Sequence, residues 1–251
     1  MDARKLYEGK AKIVLATDEP DRYLMVFKDT ATAFDGKKKG LIQDKGFYNA
    51  QISARLFQVL QSQGIPTHFI KLVDERTMLV RALDIIPVEV VVRNIVAGSL
   101  SKRLGRPEGE RLPSPVVEFY YKSDDLGDPM ICADHAIAFG FATPDECIAL
   151  RELALEVNSI LRPYFLERGL ELVDFKLEFG KPKGAEVPGA GAEKQYPARS
   201  RLILGDEISP DTCRLWDVGT GEKLDKDRFR RDLGKVEEAY AEVYRRVCQT
   251  A

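Results

Sequence analysis

Eight consecutive residues in the second half of the chain alternate in character: Val173-Asp174-Phe175-Lys176-Leu177-Glu178-Phe179-Gly180. Wound as a helix, this segment would scatter its charges and aromatics around every side. Extended, it becomes a strand with Asp174, Lys176 and Glu178 on one face and Phe175, Leu177 and Phe179 buried on the other. The segment therefore requires a sheet covered on one side and open to a polar space on the other. At a rise of about 3.3 Å per residue, Asp174 and Glu178 stand roughly 13 Å apart, a span that reaches from a nucleotide's phosphates to a second substrate. Downstream, Leu204-Gly205-Asp206-Glu207 offers a partner. If residues 170–180 pair with 201–206 as a hairpin, Asp206 approaches Glu178, and two carboxylates there make a hard oxygen site for magnesium. Alternation alone fits a solvated face on an amphipathic hairpin equally well.

The first third reads as short strands joined by turns. Residues 12–16 and 23–27 are β-rich runs around the turn-forming Asp18-Glu19-Pro20-Asp21 and predict a hairpin. From Gly46 to Gln63 the apolar residues Phe47, Ile52, Leu56, Val59 and Leu60 keep a helical period, which Gly64-Ile65-Pro66 ends. Strands follow near 69–73 and 77–81, with a connection between lobes at Ala82-Leu83-Asp84 and another strand over 85–93. A long helix spans 144–168, with Thr143 as N-cap, Pro144 in the first turn and Gly169 closing it. The Gly-, Pro- and Ala-rich stretch 181–200 reads as a mobile tip, and 228–247 as a final helix. Strands and helices do not alternate as βαβ units, so the expected class is α+β with antiparallel sheets.

Composition narrows the function classes. A formal net charge of −2 gives no global basic field, so nucleic acid and membrane are not expected partners and anionic ligands must meet local clusters. The most apolar stretch, 85–98, is interrupted by Pro87, Glu89, Arg93 and Asn94 and cannot span a bilayer. The N-terminus is charged and carries no apolar signal core, so a cytoplasmic location is expected. Cys132, Cys147, Cys213 and Cys248 are widely spaced without nearby histidines and read as buried thiols.

Local clusters do occur. Gly9-Lys10-Ala11-Lys12 is a turn between strands in which glycine admits a phosphate and lysines neutralise it, although such turns are commonly just solvated. At Arg93 a strand ends, and Gly98-Ser99 opens a short helix followed by Lys102 and Arg103. Free N–H groups at its start favour a phosphate, against the alternative of a capped helix with surface cations. Arg214 and the run 225–230 add cations that fit plain surface charge as well. His68 and His135 have no serine or cysteine motif beside them, and His135 reads as surface.

In order and spacing, Leu6 to Lys12, Pro87 to Asn94, Ala97 to Leu100, Val173 to Gly180, and Leu204 to Glu207 continuing to Asp217 resemble the SAICAR synthetase family over nearly the full length. The resemblance implies a small N-terminal antiparallel β lobe (1–83) and a larger α+β lobe (84–251), with ATP between them as in kinase- and ATP-grasp-like folds. It implies that Lys10, Ala11 and Lys12 cover the ATP phosphates, that the backbone of Arg81 and Leu83 meets adenine, and that Ile85 packs on it. Glu178 and Asp206 would hold Mg²⁺. Arg93, Ser99 and Arg214 would bind the imidazole ribonucleotide, with Lys122, Asp128, Lys226 and Arg230 as further contacts and Asp174 and Lys176 as catalytic groups beside its carboxylate. The implied reaction joins L-aspartate to carboxyaminoimidazole ribonucleotide (CAIR) through an acyl phosphate, since a carboxylate needs an activated leaving group before an amine can displace it. A homo-oligomer, a dimer, is the expected assembly. Asp35-Gly36 also matches a family segment without an assigned role. Competing readings are a small-molecule kinase similar to inositol polyphosphate kinases and a nucleotide-binding regulatory module without catalysis.

Overall fold

The structure is a computed structural model that describes residues 4–33, 38–184 and 198–249. The Asp35-Gly36 segment and most of the 181–200 tip lie outside the described residues. In chain order the elements begin with β1 (Lys5–Glu8), β2 (Lys12–Ala16), β3 (Arg22–Phe27), β4 (Thr30–Ala33), β5 (Lys38–Leu41), α1 (Lys45–Ser62), β6 (Phe69–Leu72) and β7 (Thr77–Arg81). They continue with β8 (Leu83–Ile95), α2 (Gly98–Leu104), β9 (Arg111–Tyr121), β10 (Met130–Ile131), α3 (Ala133–Ala138), α4 (Pro144–Leu166) and β11 (Leu170–Pro182). Last come α5 (Ala198–Arg201), β12 (Ile203–Leu204), β13 (Cys213–Asp217), α6 (Asp227–Arg230) and α7 (Val236–Tyr244).

Two antiparallel sheets organise these elements. The first runs β1-β2-β3-β7-β6; the second runs β10-β9-β8-β11-β12, with β13 also on β11, and β4-β5 forms a separate hairpin. A single residue, Ala82, separates the end of β7 from the start of β8, so the chain passes from one sheet to the other with almost no slack. A parallel bridge between Thr67 and Leu204 joins them a second time. The fold is thus a two-lobed α+β architecture with its cleft between the sheets.

Helix α4 covers the apolar face of the second sheet, packing on β11, β8 and β9. Its start is set by a reciprocal cap: Thr143 Oγ1 accepts from the Glu146 N–H at 3.2 Å, and the Thr143 N–H donates to Glu146 Oε2 at 2.9 Å. Pro144 occupies the first turn, where no donor is lost. Its inner residues, Leu150, Leu153, Val157, Leu161 and Phe165, share one core with Leu170, Leu172, Phe175, Leu177 and Phe179 of β11. Helix α1 covers the first sheet and also packs on α7.

A bulge decides which way β11 presents its charges. Leu172 pairs with Leu215 and Asp174 with Arg214, leaving Val173 as an extra residue. Leu170 and Leu172 lie in the main core, so uninterrupted alternation would aim Asp174 there too. With Val173 inserted, and packed separately with Ile95, Ala97 and Trp216, Asp174, Lys176 and Glu178 reach the cleft.

Three expectations are corrected. The final helix is not continuous over 228–247: α6 ends at Arg230, and Asp232, Gly234 and Lys235 take left-handed φ values of 54°, 70° and 50° before α7 begins. The Arg228 side chain is buried there and donates through Nε to the Gly234 carbonyl at 2.7 Å, satisfying a loop that helical periodicity could not reveal. The β11 hairpin partner is shorter than 201–206, because Ala198–Arg201 is helical and only Ile203 and Leu204 pair, with Gly180 and Phe179. Cys132 is exposed and Cys248 half-buried, while Cys147 and Cys213 are buried as expected.

Candidate active site

One cleft of about 1070 Å³ lies between the sheets. Lys10, Ala11 and Lys12 line it from the β1–β2 turn, Arg81, Leu83 and Ile85 from the β7–β8 passage, and Arg93 and Ser99 from β8 and α2. Lys122, Asp128, Asp174, Lys176, Glu178, Asp206, Arg214, Lys226 and Arg230 complete the same wall. Residues as distant in sequence as Lys10 and Arg230 therefore face one space. Position 205 is tight: a Cβ there would stand 3.2 Å from the Leu83 side chain and 3.3 Å from that of Ile85, so both would have to shift slightly to admit one.

The acidic end is built from the middle of β11 and the residues after β12. Pairing of Phe179 with Leu204 sets the register, and the Gly205 N–H donates to the Glu178 carbonyl at 2.9 Å. Glu178 Oε1 receives Lys122 Nζ at 2.6 Å and Lys176 Nζ at 3.2 Å. Lys12 Nζ forms an ion pair with Asp206 and reaches Glu207 Oε1 at 2.9 Å. Burial works against the charge on Lys176, but Glu178, Glu89 and Asp206 outweigh it and hold its pKa above the ordinary lysine value. Burial likewise opposes the Asp206 carboxylate, and Lys12, Lys176 and Lys122 overcome that and hold its pKa well below the usual range. Among the described residues no group of three or more His, Cys, Asp or Glu side chains is arranged to hold a metal ion.

The cationic end is a lattice around Asp174. Arg93, 3% exposed, donates through Nε to Glu118 Oε2 at 2.7 Å and through its terminal nitrogens to Asp174 Oδ2 at 2.8 Å, Ser99 Oγ at 2.9 Å and the Tyr120 hydroxyl at 3.1 Å. Arg214 grips both Asp174 oxygens, at 3.0 and 2.8 Å, and donates through Nε to Asp227 Oδ2 at 3.0 Å. The antiparallel register, Asp174 opposite Arg93 and also opposite Arg214, dictates these meetings. Gly98 is required: at φ 55° its Cβ would fall 2.4 Å from an Arg214 nitrogen. The Gly98 N–H at the start of α2 is taken by Glu108 Oε1 at 3.1 Å. Arg231 above all holds the Glu108 carboxyl far below its ordinary pKa, against its partial burial, with help from the Gly98 N–H and Lys223. A carboxylate therefore sits where a phosphate was expected.

Lys226 belongs to a further buried cluster, whereas the half-buried Arg230 donates to Asp227 Oδ1 at 2.7 Å, the carboxylate that also takes Arg214. Asp211 accepts from Lys45 Nζ at 2.9 Å, Lys226 Nζ at 3.2 Å and the Tyr240 hydroxyl at 2.6 Å. Burial lowers the Lys226 pKa despite Asp211 beside it. Asp225 is fully buried, accepts the N–H groups of Leu215 and Asp227, and is pushed up to about 7 by burial and by Asp227. The 225–230 run is thus largely interior, not surface. His135 is exposed as read.

Sequence reasoning left out Glu89, Glu118, Tyr120, Glu207 and Asp211. Glu89 had a signal: with Val91 and Arg93 it occupies alternate positions of β8, and it stands opposite Glu178, with Lys176 Nζ 2.6 Å from its Oε1. Glu118, Tyr120 and Lys122 alternate on and just beyond β9 in the same way. Lys45 and Asp211 carried no pattern.

The family model described as SAICAR synthetase matches residues 5–247. A phosphoribosylaminoimidazole-succinocarboxamide synthase from Desulfitobacterium hafniense is 57% identical over 242 residues, covering 96% of this chain and 95% of that protein. The crystal structure of the enzyme of the same name from Ehrlichia chaffeensis superposes with a TM-score of 0.91 at 46% identity, covering 99% of this chain and all of that one. A SAICAR synthetase solved in complex with ADP gives 0.88 at 50% identity, with 97% of each chain covered. Nothing in these likenesses supports the small-molecule kinase alternative.

Proposed function

The chain belongs to the SAICAR synthetase family, and from that membership we propose how its cleft carries the reaction. The protein is an ATP-dependent ligase of purine biosynthesis that joins L-aspartate to the CAIR carboxylate, giving SAICAR, ADP and phosphate. One observation carries the assignment of roles. A carboxylate pair ringed by Lys12, Lys122 and Lys176 adjoins, along the single strand β11, the arginine lattice on Asp174.

ATP lies with adenine against the Arg81 and Leu83 backbone, Ile85 packing on it and the turn of Lys10, Ala11 and Lys12 over its phosphates. Glu178 and Asp206 fit Mg²⁺ by donor type: both are hard oxygen donors lining one cleft. When bound, the ion offsets charge on the transferring phosphoryl group. Arg93, Ser99 and Arg214 hold the ribonucleotide, aided by Lys122, Asp128, Lys226 and Arg230, so that its carboxylate reaches Asp174 and Lys176. The carboxylate oxygen attacks the γ-phosphorus and ADP leaves; the aspartate amine then attacks the acyl carbon and phosphate leaves. Lys176, held protonated, stabilises the added negative charge in both steps.

Residues 1–83 act as the ATP-covering lobe and 84–251 carry the metal and ribonucleotide contacts. The substrates place the enzyme in the cytoplasm; among the described residues no helix is long and apolar enough to cross a membrane. Edge strand β10 and helix α3 leave Met130, Ile137 and Phe139 exposed, and a second copy covering them would give a homodimer. The deciding experiment measures ADP release with ATP, CAIR and aspartate, omitting each in turn. Steady-state release should require all three, and sustained turnover without aspartate would overturn the proposal.

A further inference from the structure

Glu108 is not among the residues that line the cleft, yet its carboxylate gathers three donors from two directions. Oε1 accepts from the Gly98 N–H at 3.1 Å and from Arg231; Oε2 accepts from Arg231 Nη1 at 2.9 Å and from Lys223 Nζ at 3.1 Å. The turn that carries Glu108 is fixed by its backbone. The Gly109 N–H donates to the Val96 carbonyl at 2.9 Å, and the Val96 N–H donates to the Glu110 carbonyl at 2.8 Å. A carboxylate mounted beside the end of β8 therefore reaches across to the segment around α6.

Those two directions are the two walls of the arginine lattice. On one side Gly98 opens α2, and Ser99 beside it accepts from Arg93 at 2.9 Å. On the other, Lys223 and Arg231 flank α6, whose Asp227 takes Arg214 at 3.0 Å and Arg230 at 2.7 Å. Arg214 lies in the gap, against Gly98 on one side and tied to Asp227 on the other. Arg231 also stands 3.5 Å from Asp227 Oδ2, the oxygen that Arg214 uses, so an Arg231 released from Glu108 would compete for it. The Glu108 and Arg231 side chains are 31% and 37% exposed, and an isolated pair so placed contributes little. A forked arginine in a network of several charges is the arrangement in which such pairs do count.

We infer that Glu108 is a positioning residue: its carboxylate clasps the start of α2 to the segment around α6, sets the gap in which Arg214 lies, and keeps Arg231 off Asp227. This rests on the proposed reading of Arg93, Ser99 and Arg214 as the ribonucleotide contacts. The clasp acts on substrate binding and not on phosphoryl transfer, because every group it holds belongs to the cationic end of the cleft.

The test is steady-state kinetics with CAIR varied, beside ADP affinity measured by calorimetry. Glu108→Ala should raise KM for CAIR about five- to twentyfold while kcat and ADP affinity stay within about threefold. Glu108→Gln keeps the shape and one accepting oxygen, which guards against misfolding; its KM should lie between those of the parent and Glu108→Ala. The double variant Glu108→Ala, Arg231→Ala should be no worse than Glu108→Ala alone, because the two side chains act through one contact. An unchanged CAIR KM in either single variant of Glu108 would overturn the inference. So would parallel losses of kcat and ADP affinity, or a further rise in KM in the double variant. Arg214→Ala separates the two levels: an unchanged CAIR KM there removes the ribonucleotide reading itself, whereas a rise there without one in Glu108→Ala removes only the role of Glu108.

Discussion

Replacing Gly98 with alanine tests the arginine lattice directly. A Cβ at this position would lie 2.4 and 2.9 Å from the two terminal nitrogens of Arg214 and 2.6 Å from its central guanidinium carbon. To regain ordinary separation the guanidinium must retreat by about 1 Å, enough to break its paired hydrogen bonds to Asp174. A hydrogen bond to a charged group is worth about 1.5–3 kcal/mol, and each 1.4 kcal/mol is about tenfold in an equilibrium constant. KM for the ribonucleotide should therefore rise about 10- to 100-fold, while affinity for ADP stays within about threefold. The left-handed backbone adds a separate stability cost of about 1–2 kcal/mol, which a control isolates. Gly105 has a similar φ of 63° with nothing within 4 Å of its Cβ position, so Gly105→Ala carries the backbone cost without the clash. Steady-state kinetics and thermal melting of both variants decide the matter. Equal ribonucleotide KM values in the two would show that Arg214 does not contact that substrate.

Glu178→Ala and Asp206→Ala should each abolish turnover and leave the fold intact by circular dichroism, and near-normal rates in either would refute the metal assignment. Arg93→Ala should weaken CAIR binding more than ATP binding, because its partners Asp174, Ser99 and Tyr120 all line the cleft; equal losses would mean the pocket is misplaced. Thr143→Ala removes one half of the α4 cap and should cost about 1 kcal/mol, read as a drop of about 2–4 °C in melting temperature. Asp225, raised to about 7 by burial and Asp227, favours the folded state while protonated. That contribution is fully present below the unfolded pKa near 4 and is lost as pH rises through about 7. Asp225→Asn should flatten the decline in stability between those limits, and an unchanged pH slope would contradict it.

What could be read without coordinates was local or repeated by kinship. The long helix was legible at both ends because Thr143, Pro144 and Gly169 act through neighbouring backbone groups. The face of β11 was legible because side chains on an extended chain alternate. The final helix was not, because its interruption is stabilised by Arg228 reaching a loop carbonyl six residues on, a bond without periodic signature. Glu118 and Tyr120 escaped for a related reason: their partner Arg93 is known only once β8 and β9 are in register.

The amino-acid sequence by itself determined that this chain forms antiparallel sheets with a charged strand exposed to a polar space, and the order of its motifs determined its family. Those properties depend on side-chain periodicity and on short segments that keep their character wherever they are placed. Tertiary structure alone decided that the bulge at Val173 turns Asp174 out of the core, that Lys12 meets Asp206 across 194 residues of chain, and that the His68 N–H meets the Leu204 carbonyl. Each depends on sheet register and on how one sheet is set against the other, and both are fixed by the packing of the whole core.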